Sequence, residues 1–595
     1  MPSTTRSRFN VCGAVCLLAA APIALRLFYL QTFRHDELAG KAAKTVTSST
    51  TEVKIRGRIL DRAGLTLAES LRTYSCGVLK NDVARPEEMI TALSSSLGMP
   101  RAQVQAKWDS AKNFFYVKRK LTPGEYETLT HSLRARKLRG ANIEVDYTRY
   151  YPGGESAKDL LGTVDYENNG SSGLELLYDG LLSGSIGRAR AIKDKYGEVI
   201  YTKGAESETG ASDIYLTLDN RVQFYVESAL DAAVRANWAE GGFAIVQDPR
   251  TGDILAAASR PRAGGHSLPF QWTYEPGSTF KLITISAALE KGKIKTSDIF
   301  DCGADGKWQF NSKVTLNDDE PLGTLSVPDI VAHSSNICSA KIALKLGLED
   351  FYSFIRAYGF GTKTSLEYPG ESKGLLRAPE NWRPLDIAVT GFGHGIAVTG
   401  IQLVSAYSAA ANGGLLMEPR LVERITDTSG RLIYQTKPRA LRRVLSQSTA
   451  REMNSMLRRV VELGTGANAR IRGYTVAGKT GTAQKLDSRG KYSSSQHVAS
   501  FCGFVPALNP RFTILVVIDR PETSAYGAQV AAPAFAVIAK RLLSAAAIPP
   551  DAPETLKTAA PVPAQPPGPG AAKIPQKTVA VSTAAASVKP VESEK

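Results

Sequence analysis

Ser278 and Lys281 stand three residues apart in the stretch Tyr274-Glu-Pro-Gly-Ser-Thr-Phe-Lys-Leu-Ile-Thr284. A hydroxyl is a weak nucleophile until a base takes its proton, and an amine can be that base once its pKa is lowered. Positions i and i+3 share a helical face, and the Pro-Gly pair reads as a loop that drops into a helix at the serine. Alone, the pattern says little. Ser-x-x-Lys arises by chance about once in a few hundred residues, and Ser488-Arg-Gly-Lys491 repeats it in this chain. Two further fragments follow in order, however. Ser334-Ser-Asn336 lies 334 − 278 = 56 residues downstream, and Lys479-Thr-Gly-Thr482 another 479 − 334 = 145. The decoy has no such partners.

Each fragment has chemical work available to it. Burial and a nearby cation such as Lys479 would lower the pKa of Lys281. Ser334 can relay a proton toward a leaving amine. Asn336 offers both donor and acceptor, enough to hold Lys281 and a substrate amide together. Tyr474-Thr-Val-Ala-Gly-Lys-Thr-Gly-Thr-Ala483 reads as a strand of small and β-branched residues to which a peptide could add as a further strand. Gly481 there carries no side chain to block the approach, and Lys479, Thr480 and Thr482 suit a terminal carboxylate. The backbone N–H groups of Ser278 and Thr482 are the natural oxyanion hole. Taken singly, a serine near a lysine is ordinary surface, and Ser334 to Asn336 is a helix cap or turn. Together the three fragments describe an acyl-transfer site.

With these motifs in order the chain resembles the class B penicillin-binding proteins, membrane-anchored peptidoglycan DD-transpeptidases. Arg56-Gly-Arg-Ile-Leu-Asp-Arg-Ala-Gly-Leu-Thr-Leu-Ala68 is similar to that family's N-terminal signature. Arg149-Tyr-Tyr-Pro152, Leu161-Gly162 and Gly173-Leu-Glu175 resemble later blocks of its pedestal domain. Leu216-Thr-Leu-Asp219 with Gln223, and Ala244 through Ala256, resemble the opening of its catalytic domain. Gly391-Phe-Gly-His-Gly395, Val398-Thr-Gly-Ile-Gln402 and Asn412-Gly-Gly414 resemble the stretch between its second and third motifs. Lys479 to Lys485, Val498 to Pro506 and Asn509-Pro-Arg511 are most similar to division-type members, with sporulation-specific relatives alike here and elongation-type ones less close. The resemblance implies Ser278 as nucleophile and Lys281, Ser334, Asn336 and Lys479 as its catalytic companions, with Thr480, Gly481 and Thr482 binding substrate. It further implies stem peptides ending in D-Ala-D-Ala as donors, an amine acceptor, acylation by β-lactams, and a membrane glycan polymerase and other division proteins as partners. No cofactor or metal is implied.

The elements that must position this site follow from the layout. A chain of 595 residues exceeds one core. Val11 to Leu30 is a nearly unbroken apolar run, interrupted by Arg26 and preceded by Arg6 and Arg8. It is long enough to span a bilayer with the N-terminus in the cytoplasm; the rival reading is a signal peptide cleaved near Ala19-Ala-Ala21. The expected order is a cytoplasmic N-terminus (1–10), a membrane anchor (11–32), a mixed α+β pedestal (33–215), a catalytic domain (216–546) and a disordered Pro/Ala-rich tail (547–595). The catalytic domain reads as an α/β sandwich of the β-lactamase-like type, an antiparallel sheet covered by helices. It opens with a helix over 220–236 and strands within 242–258. A buried strand over 512–518 and a helix over 531–546 close it. The body would then lie outside the cytoplasmic membrane, and the resemblance to division-type members implies the division septum.

The remaining features point nowhere else. The net charge is +16, with ten Lys or Arg against three acidic residues in 101–140, yet no nucleic-acid module accompanies them. An anionic envelope surface or plain solvation accounts for that stretch. The six cysteines form no CxxC pair, which argues against a zinc ribbon or redox motif. A Cys302–Cys338 bridge is open but unreadable from sequence. His333 and His394 read as structural hydrogen bonders. Two other classes remain: a β-lactamase or DD-carboxypeptidase using water as acceptor, and a non-catalytic scaffold or β-lactam sensor. The first would need no pedestal, and no Glu-x-x-Leu-Asn box for a deacylating base is present. The second class carries several membrane helices, where this sequence offers one.

Overall fold

The computed structural model describes residues 3–38, 53–186, 190–193, 199–203, 208–261, 266–486 and 492–552. The decoy Ser488–Lys491 and most of the expected tail lie outside these. Ser3–Thr32 is one helix, within which Gly13–Thr32 is long and apolar enough to cross a membrane. At 1.5 Å per residue those 20 residues reach about 30 Å, the thickness of a hydrocarbon core.

Two compact units share the chain, and their contacts do not divide it at a single residue. Of the described residues, one unit comprises those within 1–56, 70–148 and 183–211; the other gathers 57–69 and 149–182 with those from Ser212 to Ala552. Apart from Arg56, the family-like pedestal blocks therefore all belong to the catalytic unit. The reason is visible in Arg149, whose guanidinium donates to Glu175 at 2.7 Å and to the Gly57 carbonyl at 2.7 Å. Both side chains of that ion pair are essentially excluded from solvent, so removing either would strand a charge. The first unit has its own core. Strands Thr66–Leu79 and Phe114–Leu121 pair antiparallel between Tyr74 and Leu121, and helices Pro86–Leu97, Arg101–Ser110 and Pro123–Ala135 pack Met89, Leu93, Val104 and Leu129 around Cys76 and Val117. In its basic stretch Lys118 pairs with Glu125, Arg119 with Asp146, and Arg101 with Glu87.

The catalytic unit is built on five antiparallel strands: β1 Gly241–Gln247, β2 Ile254–Arg260, β3 Ala477–Leu486, β4 Tyr492–Val505 and β5 Phe512–Asp519. Their order is β2-β1-β5-β4-β3, so the strand bearing Lys479 is an edge. The sheet is buried on both faces, and its residues alternate accordingly. Phe243, Ile245, Leu515 and Val517 join one core; Ala244, Val246, Ile514 and Val516 join the other. Helices α1 Asn220–Ala236 and α7 Ala532–Ala545 close the second face through Val226, Leu230, Phe535 and Ile538. The first face holds α2 Lys281–Glu290, α3 Val327–His333, α4 Asn336–Leu346, α5 Gly400–Ala411 and α6 Gln447–Glu462.

The sequence blocks at the start of this unit are caps and clamps. Asp219 caps α1 by accepting from the Arg221 and Val222 N–H groups. Gln223 acts as a substitute strand: its amide donates to the Ala257 carbonyl and accepts from the Ala257 N–H, both at 2.9 Å. Thr399 and Gln402 form a reciprocal capping box at the start of α5, a helix buried along nearly its whole length. The chain stays packed past the expected boundary at 546: Asp551 accepts from the Thr475 N–H at 2.7 Å, and the Ala552 N–H donates to Gly473. Residues 547–552 are thus part of the folded unit rather than of a tail.

Candidate active site

Ser278 and Lys281 do not share one α-helix. Gly277–Phe280 is a 3-10 turn, and α2 begins at Lys281. Side chains at i and i+3 eclipse in a 3-10 turn, yet the Lys281 amine hydrogen-bonds Ser334 and Asn336 rather than Ser278. The turn is held from two sides. On one, the Gly277 N–H donates to the Gly393 carbonyl at 3.1 Å, and a Cβ on Gly393 (φ +86°) would lie 2.1 Å from the Gly277 oxygen. On the other it packs against β3. A Cβ on Gly481 would meet Ser500 Oγ of β4 at 2.5 Å, and the Pro276 carbonyl and the Thr279 methyl at 2.9 Å each. The room that Gly481 gives up is therefore taken by Ser500 and by the nucleophile turn.

Lys281 is 1 % exposed. Its Nζ donates to the Ser334 carbonyl, to Ser334 Oγ at 3.1 Å and to Asn336 Oδ1 at 2.8 Å. Lys479, with no exposed surface, donates to the same Ser334 Oγ at 2.9 Å and to the Thr480 carbonyl at 3.3 Å. Ser334 Oγ is thus shared by two buried amines. Burial brings the Lys281 amine down to about 7, against the carboxylates of Asp318 and Asp319, which oppose the shift. Burial drives Lys479 lower as well, and the neighbouring Lys281 charge adds to it. The two cations sink into the floor, while Ser278, Ser334, Asn336 and Thr482 keep some exposure. Ser278 Oγ has no hydrogen-bond partner among the described residues and is left open to a ligand.

Ser334 owes its position to a strained backbone. It sits at φ 64°, ψ 36°, in the left-handed region, as the C-cap of α3. Ser335 then caps α4, accepting from the Cys338 N–H at 3.0 Å, and Asn336 is the first helical residue. The cap reading of this tripeptide holds, and the capping leaves Ser334 Oγ and Asn336 Oδ1 facing the Lys281 amine. A third participant, Asp318, gave no sequence signal. Its carboxylate accepts from Ser335 Oγ at 2.6 Å, from the Ile337 N–H at 3.0 Å and from the Asn336 N–H. It therefore occupies the positive end of α4.

Asp318 arrives on an excursion between the first and second motifs. That segment comprises the hairpin Lys307–Asn311/Val314–Asn317, framed by Ile299–Asp301 paired with Thr324–Ser326. The excursion is tied to α4 covalently: Cys302 and Cys338 form a disulfide with Cα atoms 5.1 Å apart, closing 36 residues of chain. Loop closure of that length stabilises by roughly 3–4 kcal/mol in the chain-entropy account. Replacing both cysteines by serine should lower the stability of the catalytic unit by about 2–4 kcal/mol. It should also slow penicillin acylation several-fold, since α4 carries Asn336. Thermal melts and a labelled-penicillin time course check this; unchanged values for both would mean the bridge holds nothing that the site needs. Cys76 and Cys502 are buried free thiols, the former pushed up to about 12 by burial.

In β3, Thr480 Oγ1 hydrogen-bonds Thr465 Oγ1 at 2.9 Å, and Thr482 Oγ1 accepts from the Gly527 N–H at 3.4 Å. As an edge strand, β3 leaves every second residue's backbone groups facing away from β4. Among the described residues no cluster of His, Cys, Asp and Glu is suited to a metal. His394 is partly buried; desolvation, with the Lys281 charge, lowers its pKa to about 4, so the imidazole is neutral at physiological pH.

The fold and this geometry have known counterparts. The penicillin binding protein transpeptidase domain family matches residues 242–542, and the penicillin-binding protein dimerisation domain family matches residues 51–216. The chain belongs to the penicillin-binding protein transpeptidases, with a dimerisation-domain pedestal. It is 32 % identical to stage V sporulation protein D of Bacillus subtilis, over 86 % of this chain and 81 % of that one. It is 29 % identical to peptidoglycan D,D-transpeptidase FtsI of Escherichia coli, over 91 % and 92 %. Among solved structures, penicillin binding protein 3 of Mycobacterium tuberculosis in complex with aztreonam superimposes with a TM-score of 0.65 at 26 % identity, covering 84 % of this chain and 98 % of that one.

Proposed function

We propose that this chain is a peptidoglycan D,D-transpeptidase of septal wall synthesis, anchored by Gly13–Thr32 with its catalytic unit outside the cytoplasmic membrane. The observation that carries the chemistry is the placement of Ser334 Oγ between Lys281 Nζ and Lys479 Nζ. Lys281, neutral above about pH 7, takes the proton of Ser278 Oγ as that oxygen attacks the carbonyl of the penultimate D-alanine. The oxyanion forms against the N–H groups of Ser278 and Thr482. The proton then passes through Ser334 to the departing amine of the terminal D-alanine. Lys479, Thr480 and Thr482 receive the terminal carboxylate while the donor peptide runs along the open edge of β3. Asn336 holds the peptide amide. A stem-peptide amine then resolves the ester and forms the cross-link. A glycan polymerase and further division proteins are the partners proposed for the anchor and pedestal.

The test is direct. Labelled penicillin should acylate the wild-type protein stoichiometrically and persist, whereas Ser278→Ala should take up none. Rapid release of label would place the chain among the hydrolases instead. A sporulation role is the second reading, favoured by the likeness to stage V sporulation protein D. Tagged protein gathering at mid-cell during vegetative growth supports the septal reading; appearance only in sporulating cells supports the other.

A further inference from the structure

Beside the nucleophile turn lies a polar cluster that the acylation steps leave unused. Glu275, three residues before Ser278, accepts from the Gly395 N–H at 2.9 Å and from the Tyr492 hydroxyl at 3.0 and 3.2 Å. His394 Nδ1 stands 3.9 Å from Glu275 Oε2, and its ring lies 5.6 Å from that of Tyr492. The Glu275 side chain keeps 17 % of its surface open and His394 25 %. The Gly277 N–H donates to the Gly393 carbonyl, so the cluster abuts the turn that carries Ser278.

The electrostatics are incomplete as they stand. Burial lifts the Glu275 carboxyl to about 7, with the Gly395 N–H and the Tyr492 hydroxyl pulling it back. The residue at ion-pair distance is His394, which burial and the Lys281 charge keep neutral. Arg377 acts on Tyr492, yet among the described residues no cation pairs with Glu275. Such a carboxylate, next to an uncharged imidazole and a phenol, gains most from an incoming ammonium group.

We propose that Glu275, framed by Tyr492 and His394, is the subsite that receives the acceptor's ammonium group. The inference rests on the transpeptidase reading above. An amine attacks only after losing a proton, and Glu275 as carboxylate takes it, later releasing it to solvent through its open side. The freed lone pair forms the C–N bond to the acyl carbonyl as the bond to Ser278 Oγ breaks. The second N–H proton passes through Lys281 to Ser278 Oγ, restoring the resting enzyme.

The test uses the full-length protein, a thioester donor ending in D-alanyl thioglycolate, and two acceptors. Nα-acetyl-lysine amide brings an ammonium group; hydroxylamine is neutral at the same pH. Glu275→Gln should lower the ratio of transfer to hydrolysis at least about tenfold for the lysine acceptor, and no more than about twofold for hydroxylamine. Tyr492→Phe removes a hydrogen bond that favours the carboxylate, so the acid limb of lysine transfer should move to higher pH while that of hydroxylamine stays. Equal losses with both acceptors, or an unchanged lysine ratio, would overturn the subsite. If Glu275→Gln does not fold, an unmoved limb in Tyr492→Phe does so alone. A wild-type protein that neither donor nor labelled penicillin acylates would overturn the transpeptidase reading, and this inference with it.

Discussion

Lys281→Arg is expected to slow acylation of Ser278 by labelled penicillin by about three to four orders of magnitude, although it keeps a cation in place. The lysine works because it can lose its proton. Its Nζ is enclosed by the Ser334 carbonyl, Ser334 Oγ and Asn336 Oδ1, and burial brings it to about 7 against the pull of Asp318 and Asp319. Above that pH the amine has a lone pair for the Ser278 proton. Below it the amine is an ammonium and the serine stays a hydroxyl. Wild-type acylation should therefore rise with pH through about 7 and then level off. A guanidinium stays protonated across the whole range and cannot supply that limb. Stability has the matching sign: the folded pKa lies below the unfolded 10.5, so the unfolded state binds more protons between those values and the folded state gains on raising pH from about 7. A stopped-flow acylation series from pH 5.5 to 9 checks both variants. A Lys281→Arg protein retaining a tenth of wild-type acylation would remove Lys281 from the role of base.

The reach of the sequence ended where contacts became non-local. Lys281, Ser334, Asn336 and Lys479 could be named because each lies in a short motif with its own chemistry, and the structure links them: both amines donate to Ser334 Oγ, and Lys281 also donates to Asn336. The helix Asn220–Ala236 and the strand from Phe512 were readable from capping by Asp219 and from an apolar run buried on both faces. Asp318 was not readable. It sits in Asn317-Asp-Asp-Glu320, a polar stretch like many turns, and its task depends on a helix 18 residues later folding back to it. Glu275 and Tyr492 are 217 residues apart, and their pairing depends on the register of the β3–β4 hairpin against the nucleophile turn. Gly481 shows the same limit from the other side. The need for a missing side chain was legible, but what fills the space was not. The gathering of the pedestal blocks into the catalytic unit is held by the Arg149–Glu175 pair, which no periodicity announces.

Asp318→Ala should reduce acylation about a hundredfold and stability by about 2–4 kcal/mol, although Asp318 has no part in the chemical steps themselves. Three donors lose one acceptor at a stroke: Ser335 Oγ, the Ile337 N–H and the Asn336 N–H. The start of α4 then loses its cap, and Asn336 and Ser334 on either side of Ser335 lose the register that centres Ser334 Oγ between the two amines. Asp318→Asn separates this packing effect from the electrostatic one. The amide keeps a single acceptor oxygen, so the loss in rate should be smaller, nearer tenfold by order of magnitude. Its removal of negative charge acts on Lys281 directly, because Asp318 is the largest of the influences holding that amine's pKa up. The acid limb of acylation in Asp318→Asn should accordingly shift below 7 while the plateau falls. A merely structural carboxylate would lower the plateau and leave the limb where it was. The two effects run in opposite directions at low pH, so near pH 6 the Asp318→Asn protein should retain a larger fraction of wild-type activity than at pH 8.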